Sequence, residues 1–119
     1  RYSGKEMAPV AGGFSPHVRA IAEAIERVTK VRYDGVLVNY YPDGKCGMRF
    51  HSDPTYDVWA PPVAVVSIGS PRTFVLRSIE NPSTERWSYK VANGDVVLMF
   101  GDCQERLQHS IKVERNAED

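Results

Sequence analysis

His51 and Asp53 stand two residues apart in NYYPDGKCGMRFHSDPTYDVW, residues 39–59, close to Asn39, Tyr41 and a turn-forming PDGKCG. A neutral imidazole and a carboxylate at that spacing are a usable pair of metal ligands, because alternate residues of a strand point to the same side. Two ligands do not make a site, and the chain has three histidines from which to draw a third. His17 falls in the first turn of a helical pattern with nothing nearby to chelate beside it, so it is expected to be a surface residue. His109, in QERLQHSIK after the apolar run DVVLMF, is the remaining candidate. Two histidines and one carboxylate from different strands form the facial triad that suits non-haem Fe(II), with positions left open for a cosubstrate and O2. Imidazole and carboxylate also suit zinc in a hydrolase, and an HxD pair with a distant histidine occurs by chance in many proteins, so these three residues alone leave the metal open.

The elements that must position them follow from periodicity. If VLVNYY is a strand, Leu37, Asn39 and Tyr41 share one face while Val36, Val38 and Tyr40 share the other, with Tyr40 in the core. Arg49, His51 and Asp53 share a face in the same way, and a hairpin at PDGKCG would bring Asn39, Tyr41, His51 and Asp53 to one cavity. Upstream, Ser15 and Pro16 read as the N-cap and first residue of a helix whose apolar face is Val18, Ile21, Ala22, Ile25 and Val28. Its other face carries Arg19, Glu23, Glu26, Arg27 and Lys30. Beyond Asp34-Gly35 the period becomes two: VLVNYY, MRFHSD, VAVVSIGS, RTFVLRS, RWSYKV and DVVLMF are short β-branched and aromatic runs separated by turn signals. No helical period intervenes, so the expected class is mainly β with one N-terminal helix (α+β): a helix on an antiparallel sandwich or jelly roll.

Composition sets limits on what the chain can be. Residues 1–119 suit one domain, and a chain of this size buries a core without metal or disulfide support, so a metal here would serve chemistry. Fifteen basic residues balance fifteen acidic ones, which leaves no global field to attract nucleic acid; a polyanion would bind through a local patch. Cys46 and Cys103 show no disulfide or zinc-ribbon spacing and are expected to be free thiols in a reducing compartment. No apolar run approaches the roughly 20 residues needed to span a bilayer. The expectation is a nuclear or cytoplasmic monomer with no membrane association. The chain lacks an initiator methionine and ends on the polar RNAED, as a piece of a longer protein truncated at both ends would.

Several ordered blocks of this sequence together resemble the AlkB-like family of Fe(II)/2-oxoglutarate-dependent dioxygenases, in the branch that dealkylates nucleic acids. NYYPDGKCGMRFHSD is similar to the family's asparagine, tyrosine and turn leading into HxD; VAVVSIGSPRTFVLR is similar to its following strand pair; GDVVLMFGDCQERLQHS is similar to the approach to its distal histidine; and the opening YSG is similar to the region before its helix. The resemblance implies a double-stranded β-helix (jelly-roll, cupin-like) core, with Fe(II) and 2-oxoglutarate as cofactor and cosubstrate. It implies His51, Asp53 and His109 as iron ligands and catalytic centre, and Asn39 and Tyr41 as 2-oxoglutarate-binding residues. The implied reaction is oxidative removal of alkyl groups from bases of DNA or RNA, releasing succinate, CO2 and formaldehyde. The family also closes its cosubstrate pocket with an arginine on a strand after the distal histidine. Here the only later arginine is Arg115, in a polar stretch, which leaves Arg72 and Arg77 as fallbacks within the chain. For the substrate, Tyr2 and the His51 ring are candidates for stacking on a base that has left its stack, and Arg49, Arg72 and Arg77 for phosphate contacts. Tyr56 and Trp59 are candidates to line the entrance, with Trp59, beside APP, equally a candidate packing anchor. Alternatives from other classes are an oxygenase of the same fold acting on a protein or small molecule, and a non-catalytic jelly-roll binding module.

Overall fold

Ser15 begins the first helix as the sequence requires: its hydroxyl accepts from the Val18 amide at 3.2 Å, and Pro16 occupies the first turn, where a missing N–H costs nothing. The helix, α1, runs Pro16–Thr29 and stops at Lys30, whose φ of 63° is left-handed and whose amide donates to the Glu26 carbonyl at 2.8 Å. Val18, Ile21, Ala22 and Ile25 are half-buried, but Val28 is 82% exposed. It lies in the last turn, next to the left-handed cap. These elements belong to a computed structural model that describes residues 12–53 and 61–116. The chain divides into two units, Arg1–Asn39 and Tyr40–Asp119, and α1 is in the first.

The second unit is built from strands β1 (Met48–His51), β2 (Val63–Val66), β3 (Arg72–Ser78), β4 (Arg86–Val91), β5 (Val96–Met99) and β6 (Leu107–Ile111), with a one-turn helix α2 (Cys103–Arg106) leading into β6. They form two antiparallel sheets, one of four strands ordered β1-β6-β3-β4 and one pairing β2 with β5. The buried centre is Phe74, Val91 and Met99, with Val63 and Val65, Val97, Leu76, Ile111 and Cys103 packed against it. Residues of both sheets contribute, so the core lies between them. Phe74, 1% exposed, contributes about 2–3 kcal/mol by that burial. The class is therefore mainly β with few helices, as expected.

The turns behave as their residues dictate. In ANGD, Gly94 has a φ of 89°, and the Asp95 carboxylate accepts from the Ala92 amide at 2.8 Å. In ENPS, the Asn81 amide donates to the Ser78 hydroxyl at 3.0 Å. In PDGK, the Asp43 carboxylate accepts from the Lys45 amide at 2.8 Å.

Two expectations do not survive. VLVNYY forms no strand, and residues 30–47 contain neither strand nor helix. Alternation proposes a strand, but only a partner ladder satisfies its backbone groups; β1 takes its ladder from β6 and not from a PDGKCG hairpin. Without a ladder the alternation fixes no face, so Tyr40, expected in the core, is 76% exposed, and Val36 and Val38 are exposed as well. Conversely, LQHSI is a strand that its polar composition concealed, and it sits inside the four-stranded sheet, between β1 and β3.

Candidate metal centre

β1 and β6 bring the two histidines together. His51 and His109 are direct partners across the ladder, whereas Met48 pairs with Ile111, so one extra residue bulges out of β1 before His51. Partners directly opposite in an antiparallel pair share a face, and the two rings lie 4.3 Å apart at centroid, tilted by 55°. Asp53 follows in the chain just past the strand end. Its Oδ1 lies 3.5 Å from His51 Nε2 and 3.6 Å from His109 Nε2. One donor atom from each of the three residues falls within 4.8 Å of the others, the spacing of groups that could hold a single ion.

The surroundings fix each donor. His51 Nδ1 lies 2.7 Å from the Arg49 carbonyl, which directs a proton to Nδ1 and leaves Nε2 free to ligate. The Asp53 amide donates to Gln104 Oε1 at 2.7 Å, and Gln104, on α2, is itself buried, with its Nε2 3.5 Å from Met99 Sδ. The Ser52 hydroxyl donates to the Leu107 carbonyl at 2.8 Å, tying the end of β1 to the start of β6. His109 lies parallel to Phe74, centroids 5.5 Å apart, so the core wall sets the plane of its ring.

The electrostatics suit a cation. Burial lowers the His109 pKa to about 4, so its imidazole is neutral at physiological pH. His51 is raised, chiefly by its hydrogen bond with Asp53. Burial pushes the Asp53 carboxyl up, but the hydrogen bond with His51 and the charges of both imidazoles outweigh it and hold the group below its ordinary value. Two nitrogens and an ionised oxygen, already converged and individually oriented, are what a divalent transition metal takes with little rearrangement.

The other anticipated site residues are distributed unevenly. Tyr41 is half-buried, with the Arg72 guanidinium 5.4 Å from its ring centroid. Arg72 is buried, and its Nη2 donates to the Cys46 carbonyl at 2.6 Å and the Lys112 carbonyl at 2.8 Å, while its Nε has no hydrogen-bond partner among the described residues. It works as a clasp between the loop before β1 and the segment after β6. Arg77 holds Gln108 Oε1 at 3.0 and 3.2 Å and lies over the Phe50 ring at 3.7 Å. Arg77 pairs with Gln108, which is next to His109 in the chain, so it lies on the face opposite the histidines. Arg49 is exposed, and Asn39, at the end of the first unit, is exposed too. Tyr2, Tyr56 and Trp59 lie outside the described residues. Gln104 and Phe74 were not anticipated; the period of RTFVLRS could have pointed to Phe74, whereas nothing local marks Gln104.

Two antiparallel sheets with a two-histidine, one-carboxylate cluster on their shared side define a protein with a candidate site for a divalent transition metal. Sequence comparison agrees: residues 1–119 match the model of the 2OG-Fe(II) oxygenase superfamily. The chain belongs to that superfamily, whose members use Fe(II) and 2-oxoglutarate. It is 36% identical over 110 residues to an uncharacterized protein of Acanthamoeba polyphaga mimivirus, covering 92% of this chain and 56% of that one. It is 29% identical over 107 residues to the mouse alpha-ketoglutarate-dependent dioxygenase alkB homolog 3 and 28% identical to the human one, each match covering 83% of this chain and 37% of the relative. The chain thus spans about half or less of the length of these relatives. Among the described residues, no helix is long and apolar enough to cross a membrane.

Proposed function

We propose that this chain carries the metal-binding half of an enzyme that oxidatively dealkylates N-alkylated bases of DNA or RNA in the nucleus or cytoplasm, on a double-stranded β-helix. The observation that carries the reading is the convergence of His51, Asp53 and His109 within 4.8 Å in a chain similar to an alpha-ketoglutarate-dependent dioxygenase. His51 Nε2, Asp53 Oδ1 and His109 Nε2 would hold the iron. When bound, Fe(II) with 2-oxoglutarate and O2 supplies the oxidising chemistry: the cosubstrate is decarboxylated to succinate, an N-alkyl C–H is hydroxylated, and an N-methyl carbon leaves as formaldehyde.

The chain's own residues orient and exclude. The Arg49 carbonyl fixes the His51 tautomer, Gln104 holds the backbone of Asp53 in place, and Phe74 sets the His109 plane and closes the inner side to water. Asn39 and Tyr41 are the proposed side-chain hydrogen-bond partners of 2-oxoglutarate. The alkylated base must leave its stack to reach the three ligands, and with no net charge on the chain its phosphates would be held by local cations.

The test is turnover by the full-length protein with Fe(II), 2-oxoglutarate and N-methylated oligonucleotides. Succinate together with formaldehyde is expected. Succinate formed only with protein or small-molecule substrates would replace the nucleobase by another target, and no succinate under any condition would leave a non-catalytic binding module.

A further inference from the structure

The strand register lines up four residues in one transverse row across the four-stranded sheet. His51 of β1 is opposite His109 of β6, His109 is opposite Leu76 of β3, and Leu76 is opposite Trp87 of β4. Directly opposed residues share a face, so Trp87 lies on the same side of the sheet as the two histidines. With strands about 4.8 Å apart, its backbone is roughly 10 Å from that of His109. Among the described residues, β4 is the outer strand of the sheet. Trp87 is 43% exposed there, an unusual state for an indole whose neighbour in the row, Leu76, packs against the core.

β4 also separates its chemistry by face. Trp87 and Tyr89 lie on the histidine side, and Arg86, Ser88 and Lys90 alternate onto the other. Lys90 is paired with Glu114 at 2.7 Å, while the Arg86 guanidinium lies 5.1 Å from the Phe50 ring. Two exposed aromatic side chains, Trp87 and Tyr89, on the histidine side of the sheet edge are what holds a base by stacking.

We infer that Trp87 stacks on the base next to the one being dealkylated. The target base occupies the histidine end of the row, and the offset to Trp87 is one that the next nucleotide bridges. Trp87 thus sets the affinity for a strand that continues beyond the target and is not a catalytic residue. This inference rests on the nucleobase reading above.

The experiment compares wild type, Trp87→Leu and Trp87→Phe in the full-length protein on two oligonucleotides, one with ordinary neighbours of the N-methylated base and one with abasic neighbours. Trp87→Leu should raise KM for the first by roughly five- to 150-fold, the range for loss of one base–aromatic stack, with kcat unchanged. Trp87→Phe should keep most of the affinity. On the abasic substrate the wild type should lose the same advantage, and Trp87→Leu should change nothing further. Equal KM values for wild type and Trp87→Leu on the first substrate would overturn the role of Trp87 and leave nucleobase dealkylation standing. Succinate formation by the wild type without oxidation of any methylated oligonucleotide would overturn the nucleobase reading, and the stacking role with it.

Discussion

His51 and His109 face one another directly across the β1–β6 ladder, and the single-residue bulge in β1 is what sets that register. The site therefore depends on a pairing between distant parts of the chain, with Asp53 completing it at 3.5 and 3.6 Å from the two Nε2 atoms.

Removing any one donor should abolish tight metal binding. Asp53→Ala, His51→Ala and His109→Ala are each expected to lose stoichiometric Fe(II) or Co(II) uptake in calorimetric titration while keeping a β-type circular dichroism spectrum, because the core is organised by Phe74, Val91 and Met99. Chelation of the wild type should likewise stop 2-oxoglutarate turnover and leave the fold intact.

Gln104→Ala should weaken the centre without touching a ligand. The Asp53 amide would lose its acceptor at 2.7 Å, and loss of a supporting partner to a ligand typically costs 10- to 100-fold in metal affinity. A titration giving the wild-type affinity would show that Asp53 needs no such support.

Gly47→Ala should destabilise the second unit. A Cβ at this position would meet the Ile111 carbonyl oxygen at 2.6 Å and Val113 Cγ2 at 2.9 Å, and the backbone oxygen is not free to move. Overpacking of this kind costs about 1–3 kcal/mol, to be read as a lowered midpoint in urea or thermal denaturation.

Glu114 should give the chain an acid-sensitive component of stability. Its carboxylate lies 2.7 Å from Lys90 Nζ and accepts from the Thr73 amide at 2.6 Å, and chiefly the bond with Lys90 lowers its pKa from 4.5 to about 2. Because the folded value is the depressed one, this stabilisation is fully present above pH 4.5 and is lost as pH falls from there through about 2. Glu114→Gln should flatten that part of the stability profile. An unchanged acid limb would mean that the pair contributes nothing in solution.

The two ligands of the HxD pair were legible from residue type and spacing alone, and His109 from elimination among three histidines. The apolar strands were legible because β-branched and aromatic alternation and turn residues are local signals. β6 was not: its buried residues include His109 and Ser110, so period two does not show as hydrophobicity. VLVNYY failed in the opposite sense, having the local pattern without a ladder. Gln104 and Arg72 act through hydrogen bonds to backbone 51, 26 and 40 positions away, and no window of sequence contains both ends of such a bond.

β6 is the last strand of the chain described here, yet it is inserted between β1 and β3. During synthesis, His51 and Asp53 therefore leave the ribosome long before the strand that completes their surroundings. An early β1 has neither its ladder nor its third donor, so the nascent chain has no competent trap for iron or any other ion until His109 emerges and docks. Loading with metal follows the docking of β6, and metal uptake timed against refolding would serve as a clock for the arrival of this central strand.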